Sequence, residues 1–213
     1  SRPRALTISA KTEWSLKQNI EKYSNYVDSN PDLDIDSFAA TTLLGRGHYN
    51  YRLAIAFKDY NELKKKLNHI CWCGYESLVE DVYYGSYKVV SDRRTDRGEG
   101  EYSESEIRET NRLANEILDR ITVGEENFED YKKLCMYYTC GGSIQWEKLF
   151  KDKIPNKLPI PTYSFERTVY WAEPKVLKEG GNGRGSEENN HPLVERCLLK
   201  SIEQDIYTTR FSV

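Results

Sequence analysis

The 213 residues carry 31 Lys and Arg against 34 Asp and Glu, a net charge of −3 with an isoelectric point near 5.8, which excludes the electrostatic footprint of a nucleic-acid or anionic-membrane binder. No run of about 18 apolar residues and no charged-then-apolar leader is present, so neither a membrane span nor a signal peptide is indicated, and the expected compartment is the cytoplasm. Hydrophobic residues are only 38% of the chain, yet 16 Tyr and 4 Trp raise the aromatic share, which fits one domain of ordinary size with tails and with amphipathic contact surfaces.

Residues 4–9 alternate apolar and polar with Leu6 and Ile8 on one side, which predicts a short half-buried strand. From Glu13 the period changes. Leu16, Ile20, Tyr23 and Val27 form one stripe of an amphipathic helix with Thr12 as its N-cap, ended by Asn30-Pro31-Asp32. A second helix over 37–44 stops at Gly45-Arg46-Gly47. Residues 51–57 read as a strand with Tyr51, Leu53, Ile55 and Phe57 on one face, paired with the first strand. Asp59 caps a third helix over 61–70 whose buried edge is Leu63, Leu67 and Ile70. Residues 82–90 form a third strand interrupted by Gly85. The order β-α-α-β-α-β predicts an α/β (α+β) fold, a small three-stranded sheet packed with helices.

Residues 91–101 are polar, with Arg93, Arg94 and Arg97 among Asp92, Asp96, Glu99 and Glu101, and read as a solvated loop or hinge rather than a phosphate site. Ser103-Glu-Ser-Glu106 is a capping-type start for a fourth helix carrying Ile107, Ala114, Ile117, Leu118 and Ile121. Phe128, Tyr131, Leu134, Cys135 and Tyr138 predict a fifth before Gly141-Gly142. Residues 158–171 then combine two helix-breaking prolines, Pro159 and Pro161, with Tyr163, Phe165, Tyr170 and Trp171. Such a segment predicts an extended strap laid across another surface, the alternative being a Pro-broken edge strand of the same domain. Residues 175–190, with Gly180-Gly-Asn-Gly-Arg-Gly-Ser186, have the composition of a flexible linker.

Several of these segments carry a resemblance. Leu158-Pro159-x-Pro161-Thr162-Tyr163-x-Phe165-x-Arg167-x-x-Tyr170-Trp171 resembles the Leu-Pro-Thr-Tyr-Pro-Phe-x-Arg-x-Arg-Tyr-Trp segment that follows the acyltransferase in modular polyketide synthases. It departs from that pattern by an inserted Ile-Pro, by Ser164 in place of Pro and by Val169 in place of Arg. Ser9-Ala10-Lys11-Thr12, Pro31-Asp32-Leu33-Asp34, Leu44-Gly45-Arg46 with Tyr51-Arg52-Leu53-Ala54, and Tyr83-Tyr84-Gly85 are similar in order and spacing to the adapter that follows the ketosynthase in those synthases. The resemblance implies a three-stranded sheet covered by helices. Only the fourth and fifth helices stand where a complete acyltransferase would sit, which resembles synthases whose acyltransferase is a separate protein acting in trans.

The implied organisation is an adapter over 1–90, a loop and helical insert over 91–142, a strap over 143–174 packing on adapter and ketosynthase, a linker over 175–190, and over 191–213 the start of a dehydratase, on the His191-Pro192-Leu193-Val194 match. The implied role is a non-catalytic scaffold flanking the ketosynthase of the same polypeptide, with Tyr163, Phe165, Arg167, Tyr170 and Trp171 as interaction residues. A trans-acting acyltransferase and neighbouring synthase dimers are further implied partners, and the aromatic residues of the two insert helices either face such partners or pack on the adapter.

The chemistry-bearing residues support no catalytic assignment. The five cysteines, Cys71, Cys73, Cys135, Cys140 and Cys197, read as free thiols, and His69-x-Cys71-x-Cys73 lacks the Cys-x2-Cys spacing of a zinc knuckle. No Gly-x-Ser-x-Gly elbow, phosphate loop, His-Glu-x-x-His or Gly-x-Gly-x-x-Gly occurs, and the three histidines, His48, His69 and His191, each sit in a segment with a structural reading. No cofactor, metal or catalytic residue is expected. The alternative is a free-standing small α/β enzyme, and a third reading is a nucleic-acid-binding module.

Overall fold

A computed structural model describes residues 2–74, 79–150 and 155–166 with their side chains, and the backbone of 196–200 and 205–208. The chain divides into two compact units, Ser1–Glu166 and Arg167–Val213. The first holds a three-stranded antiparallel sheet in the order β1-β2-β3, from Arg4–Ala10, Tyr51–Phe57 and Val82–Ser86. Leu6 stands opposite Ile55 and Ile8 opposite Leu53, so the large apolar residues of both strands line one face.

That face is covered by α1 (Glu13–Ser29) and α3 (Tyr60–Cys73), which supply Leu16, Ile20, Tyr23, Val27, Leu63, Leu67 and Ile70 to the core. Both helices begin as read from sequence. Thr12 accepts the Ser15 amide at 3.2 Å and Asp59 the Glu62 amide at 3.0 Å, each satisfying an amide that no helical carbonyl reaches. Helix α2 (Ile35–Leu44) starts two residues earlier than expected, because the Asp34 side chain accepts from the amides of Asp36 and Ser37. The Ser37 hydroxyl also donates to Asp34 at 2.6 Å and is the main reason the Asp34 carboxyl sits below its ordinary pKa. Asp34→Ala should cost about 1 kcal/mol in a urea melt at pH 7. Because the folded-state pKa is lowered, this contribution is complete above the ordinary carboxylate range and is lost as pH falls through it and below. The Asp34→Asn variant, which caps without ionising, should lose less stability than the native chain between pH 6 and pH 3.

The opposite face corrects the expectation of half-buried strands. Ala5, Thr7, Ala54 and Ala56 are all buried there, beneath α5 (Phe128–Thr139) and, at Thr7, Thr42 of α2, with α4 (Glu104–Thr122) packed on α5. These small residues let α5 lie close to the sheet. A Cβ on Gly85 of β3 would stand 2.6 Å from the Thr139 carbonyl oxygen, so the helix end and the strand meet at a distance only glycine permits. The near-continuous apolar run of residues 51–57 is the signature of a strand buried on both sides. Tyr131, Leu134, Cys135 and Tyr138 point into this second core with Trp146. Of the two placements open for the insert aromatics, Tyr131 and Tyr138 therefore take packing on the sheet.

Helix α4 opens on a full capping box between Ser103 and Glu106, and Arg120 at its end reaches Asp130 of α5 at 2.6 Å. The third strand also differs from expectation. It stops at Ser86, and Lys88–Val90 forms a separate β4 paired in parallel with β5, Glu101–Ser103. Arg94 and Arg97 of the intervening loop are paired with Glu101 and Glu106, consistent with a solvated loop. In the second unit, β6 (Arg196–Lys200) and β7 (Asp205–Thr208) form an antiparallel pair with a register shift between Cys197 and Leu199. The predicted linker over 175–190 and the His191 motif lie outside the described residues.

Candidate interaction surface

Residues 155–166 have no helix and no strand pairing, as two prolines within four residues dictate. Their backbone groups are instead satisfied by side chains of the adapter. The Leu158 amide donates to Thr41 Oγ1 at 3.0 Å, Arg46 Nη2 donates to the carbonyls of Ile160 and Pro161 at 2.9 Å each, and the Ser164 amide donates to Asn19 Oδ1 at 2.9 Å. Ile160 is buried in the first core, with Leu158 and Tyr163 packed against it. An extended segment pinned in this way is a strap on the adapter, not an edge strand of its sheet.

Tyr163 adds contacts of its own. Its hydroxyl accepts the Lys11 amide at 2.9 Å, and its ring stands edge-on to Tyr49 at 5.6 Å and to Phe165 at 4.8 Å. Lys11 Nζ lies 5.4 Å from the Tyr49 ring centre. Phe165 itself is 76% exposed, although Tyr163 touches one edge. Two of the five predicted interaction residues, Tyr163 and Phe165, are thus together on one ledge. Arg167, Tyr170 and Trp171 lie outside the described residues.

Beside the ledge is a cavity of about 180 Å³ lined by residues of β1, α1 and the 45–49 loop. Its chemistry is not that of a nucleophile. Ser9 Oγ donates to the Gly47 carbonyl at 2.8 Å and accepts the Tyr49 amide at 3.0 Å. His48 Nε2 lies 3.1 Å from the Leu43 carbonyl and so carries the proton, leaving Nδ1 to accept from the Tyr138 hydroxyl at 2.8 Å. Burial lowers the His48 pKa, with the Arg52 charge adding to it while the Leu43 carbonyl opposes, which keeps the ring neutral at pH 7. Cys135 is fully buried and its thiol is pushed far up by burial, the opposite of an activated thiolate. Among the described residues no group of three His, Cys, Asp or Glu is placed to hold a metal ion. No helix among them is long and apolar enough to cross a membrane.

The residue that sequence reasoning left without a role is Arg52. It is buried in mid-strand and lies 4.4 Å from both the Tyr87 and Tyr138 ring centres. It donates to the carbonyls of Tyr49, Tyr138 and Gly142 at 2.8 Å each and to the Tyr87 hydroxyl at 3.0 Å. A charge inside an otherwise apolar strand was the available signal. Arg46, quoted only as part of the Leu44-Gly45-Arg46 match, is likewise the strap's main clamp.

Residues 4–67 match the family model described as CurL-like, PKS C-terminal. The chain is 27% identical to polyketide synthase PksN of Bacillus subtilis over 97% of its length and 28% identical to polyketide synthase PksR over 78%. It spans only 4% and 6% of those two proteins. Among solved structures it resembles the ketosynthase from module 6 of the bacillaene synthase of Bacillus subtilis 168, with a TM-score of 0.62 and 26% identity over 80% of this chain and 29% of that one. The chain is homologous to the ketosynthase-adjacent region of polyketide synthases.

Proposed function

We propose that the chain is a non-catalytic scaffold segment of a trans-acyltransferase polyketide synthase, docking the ketosynthase of the same polypeptide through the far end of its strap. The observation that carries this reading is the change of character after Ser164. Residues up to it are tied to the adapter by side-chain hydrogen bonds and by the buried Ile160 and Ser164, whereas Phe165 is 76% exposed and is touched on one edge by Tyr163. A large aromatic set beside the anchored Tyr163 but left in water suits a docking anchor. In this reading Arg167, Tyr170 and Trp171, which lie outside the described residues, are further contact residues on the strength of the sequence resemblance alone. Helices α4 and α5 stand in place of an acyltransferase, and α5 serves first to seal the second face of the sheet, since its aromatics Tyr131 and Tyr138 are interior, with α4 packed behind it.

The purified chain should load no acyl group from malonyl-CoA and hydrolyse no acyl thioester, because the thiol of Cys135 is buried, that of the exposed Cys71 is pushed up by partial burial and by Glu21 and Asp28, and the ring nitrogens of His48 are both engaged. Mass spectrometry of the intact chain after incubation checks this. A covalent acyl adduct formed without any partner enzyme would overturn the non-catalytic reading in favour of a small α/β enzyme.

A further inference from the structure

The cavity beside the strap has a one-sided electrostatic lining. Its rim exposes Gly45, Gly47 and His48, and its walls include Asn19, Tyr23, Arg46 and Tyr138. No Asp or Glu lines it, in a chain that carries 34 of them. Arg46 brings a permanent cation whose partners in the strap are two neutral carbonyls, and its Nε is buried with no partner at all. A second cation, Arg52, stands behind the Tyr138 ring at 4.4 Å and is bonded to carbonyls and a hydroxyl. Among the described residues neither arginine has a carboxylate partner. Partly desolvated cations left uncompensated carry a free-energy cost that an incoming anion removes.

The donor set matches that need. A guanidinium suits the planar or tetrahedral oxygens of an oxyanion, and the Tyr23 hydroxyl is near enough to Arg46 to interact with it. The volume of about 180 Å³ accommodates a small anion with its waters. We infer that this cavity binds a compact oxyanion, a carboxylate or a phosphate group, with Arg46 as cationic anchor and Tyr23 as a second donor. Ketosynthase docking is not required for it.

The test follows the Arg46 side-chain Nε–H resonance of the whole 15N-labelled chain while inorganic phosphate or acetate is added at constant ionic strength against sodium chloride. A saturable shift is expected with at least one of the two, and which one distinguishes a phosphate from a carboxylate ligand. Tyr23→Phe, which keeps the ring packing on Phe38, should weaken binding about tenfold with the melting temperature of the free chain unchanged. Arg46→Gln should weaken it at least as much. If Arg46→Gln fails to fold, the Tyr23→Phe titration decides. A shift that stays linear to tens of millimolar, an equal response to chloride, or a Tyr23→Phe titration that matches the native chain would each overturn the assignment.

Discussion

Arg52→Ala should destabilise the adapter by about 3–5 kcal/mol, the largest effect of any single truncation at a polar residue in the described body. Three losses combine. The Gly142 carbonyl, just past the end of α5, loses its 2.8 Å donor, and the Tyr138 carbonyl loses a 2.8 Å donor and keeps the Gly141 amide at 3.1 Å. Each buried carbonyl left without a donor costs about 1–3 kcal/mol. The rings of Tyr87 and Tyr138 also lose the guanidinium that each of them faces at 4.4 Å. Arg52→Lys should recover only part of the loss, because an ammonium cannot reach four acceptors in one plane. Urea unfolding of the three proteins measures this. A loss below about 1 kcal/mol for Arg52→Ala would mean that water replaces the guanidinium and that α5 is held by its apolar face alone.

Local signals were enough to place most of the elements. Thr12, Asp59 and Ser103 are caps by residue type and position, and each makes the expected bond to the following turn. The stripe of Leu16, Ile20, Tyr23 and Val27 specifies a buried helix face whatever it packs on. What stayed hidden depended on residues distant in sequence. Ala54 and Ala56 look like weak strand residues until α5 is laid on them, and Gly85 looks like a break until Thr139 stands against it. Tyr131 and Tyr138 could equally face a partner or the sheet, because a helical stripe tells which residues are buried and not what buries them.

The strap was legible in part for the same reason. Pro159 and Pro161 rule out helix and ladder locally, so its extended path followed from two residues. The donors and acceptors that hold it, Thr41, Arg46 and Asn19, come from more than 110 residues away and leave no local pattern. Of the two interaction residues that are described, the exposed Phe165 retains the character expected of a contact, and Tyr163 is spent largely on Lys11, Tyr49 and the first core.

Phe165→Ala combined with Tyr170→Ala and Trp171→Ala should weaken association with the ketosynthase by at least about 2 kcal/mol, roughly a 30-fold rise in Kd. Each of these rings can bury roughly 150–250 Å² against a partner, several kcal/mol at about 25 cal/mol per Å² before ordering costs. The same variant should leave the adapter's own stability nearly unchanged, because Phe165 is 76% exposed in the free chain. Ile160→Ala is the counterpart, since it opens a hole in the first core and should cost about 2–5 kcal/mol of stability. Calorimetric titration of the separately expressed ketosynthase with the native chain and the triple variant, beside a melting curve of each, therefore separates docking from folding. The expected result is an affinity loss of about 30-fold or more at an unchanged melting temperature, and an unchanged affinity with a large fall in melting temperature would contradict it, making the strap's end a part of this domain's own core.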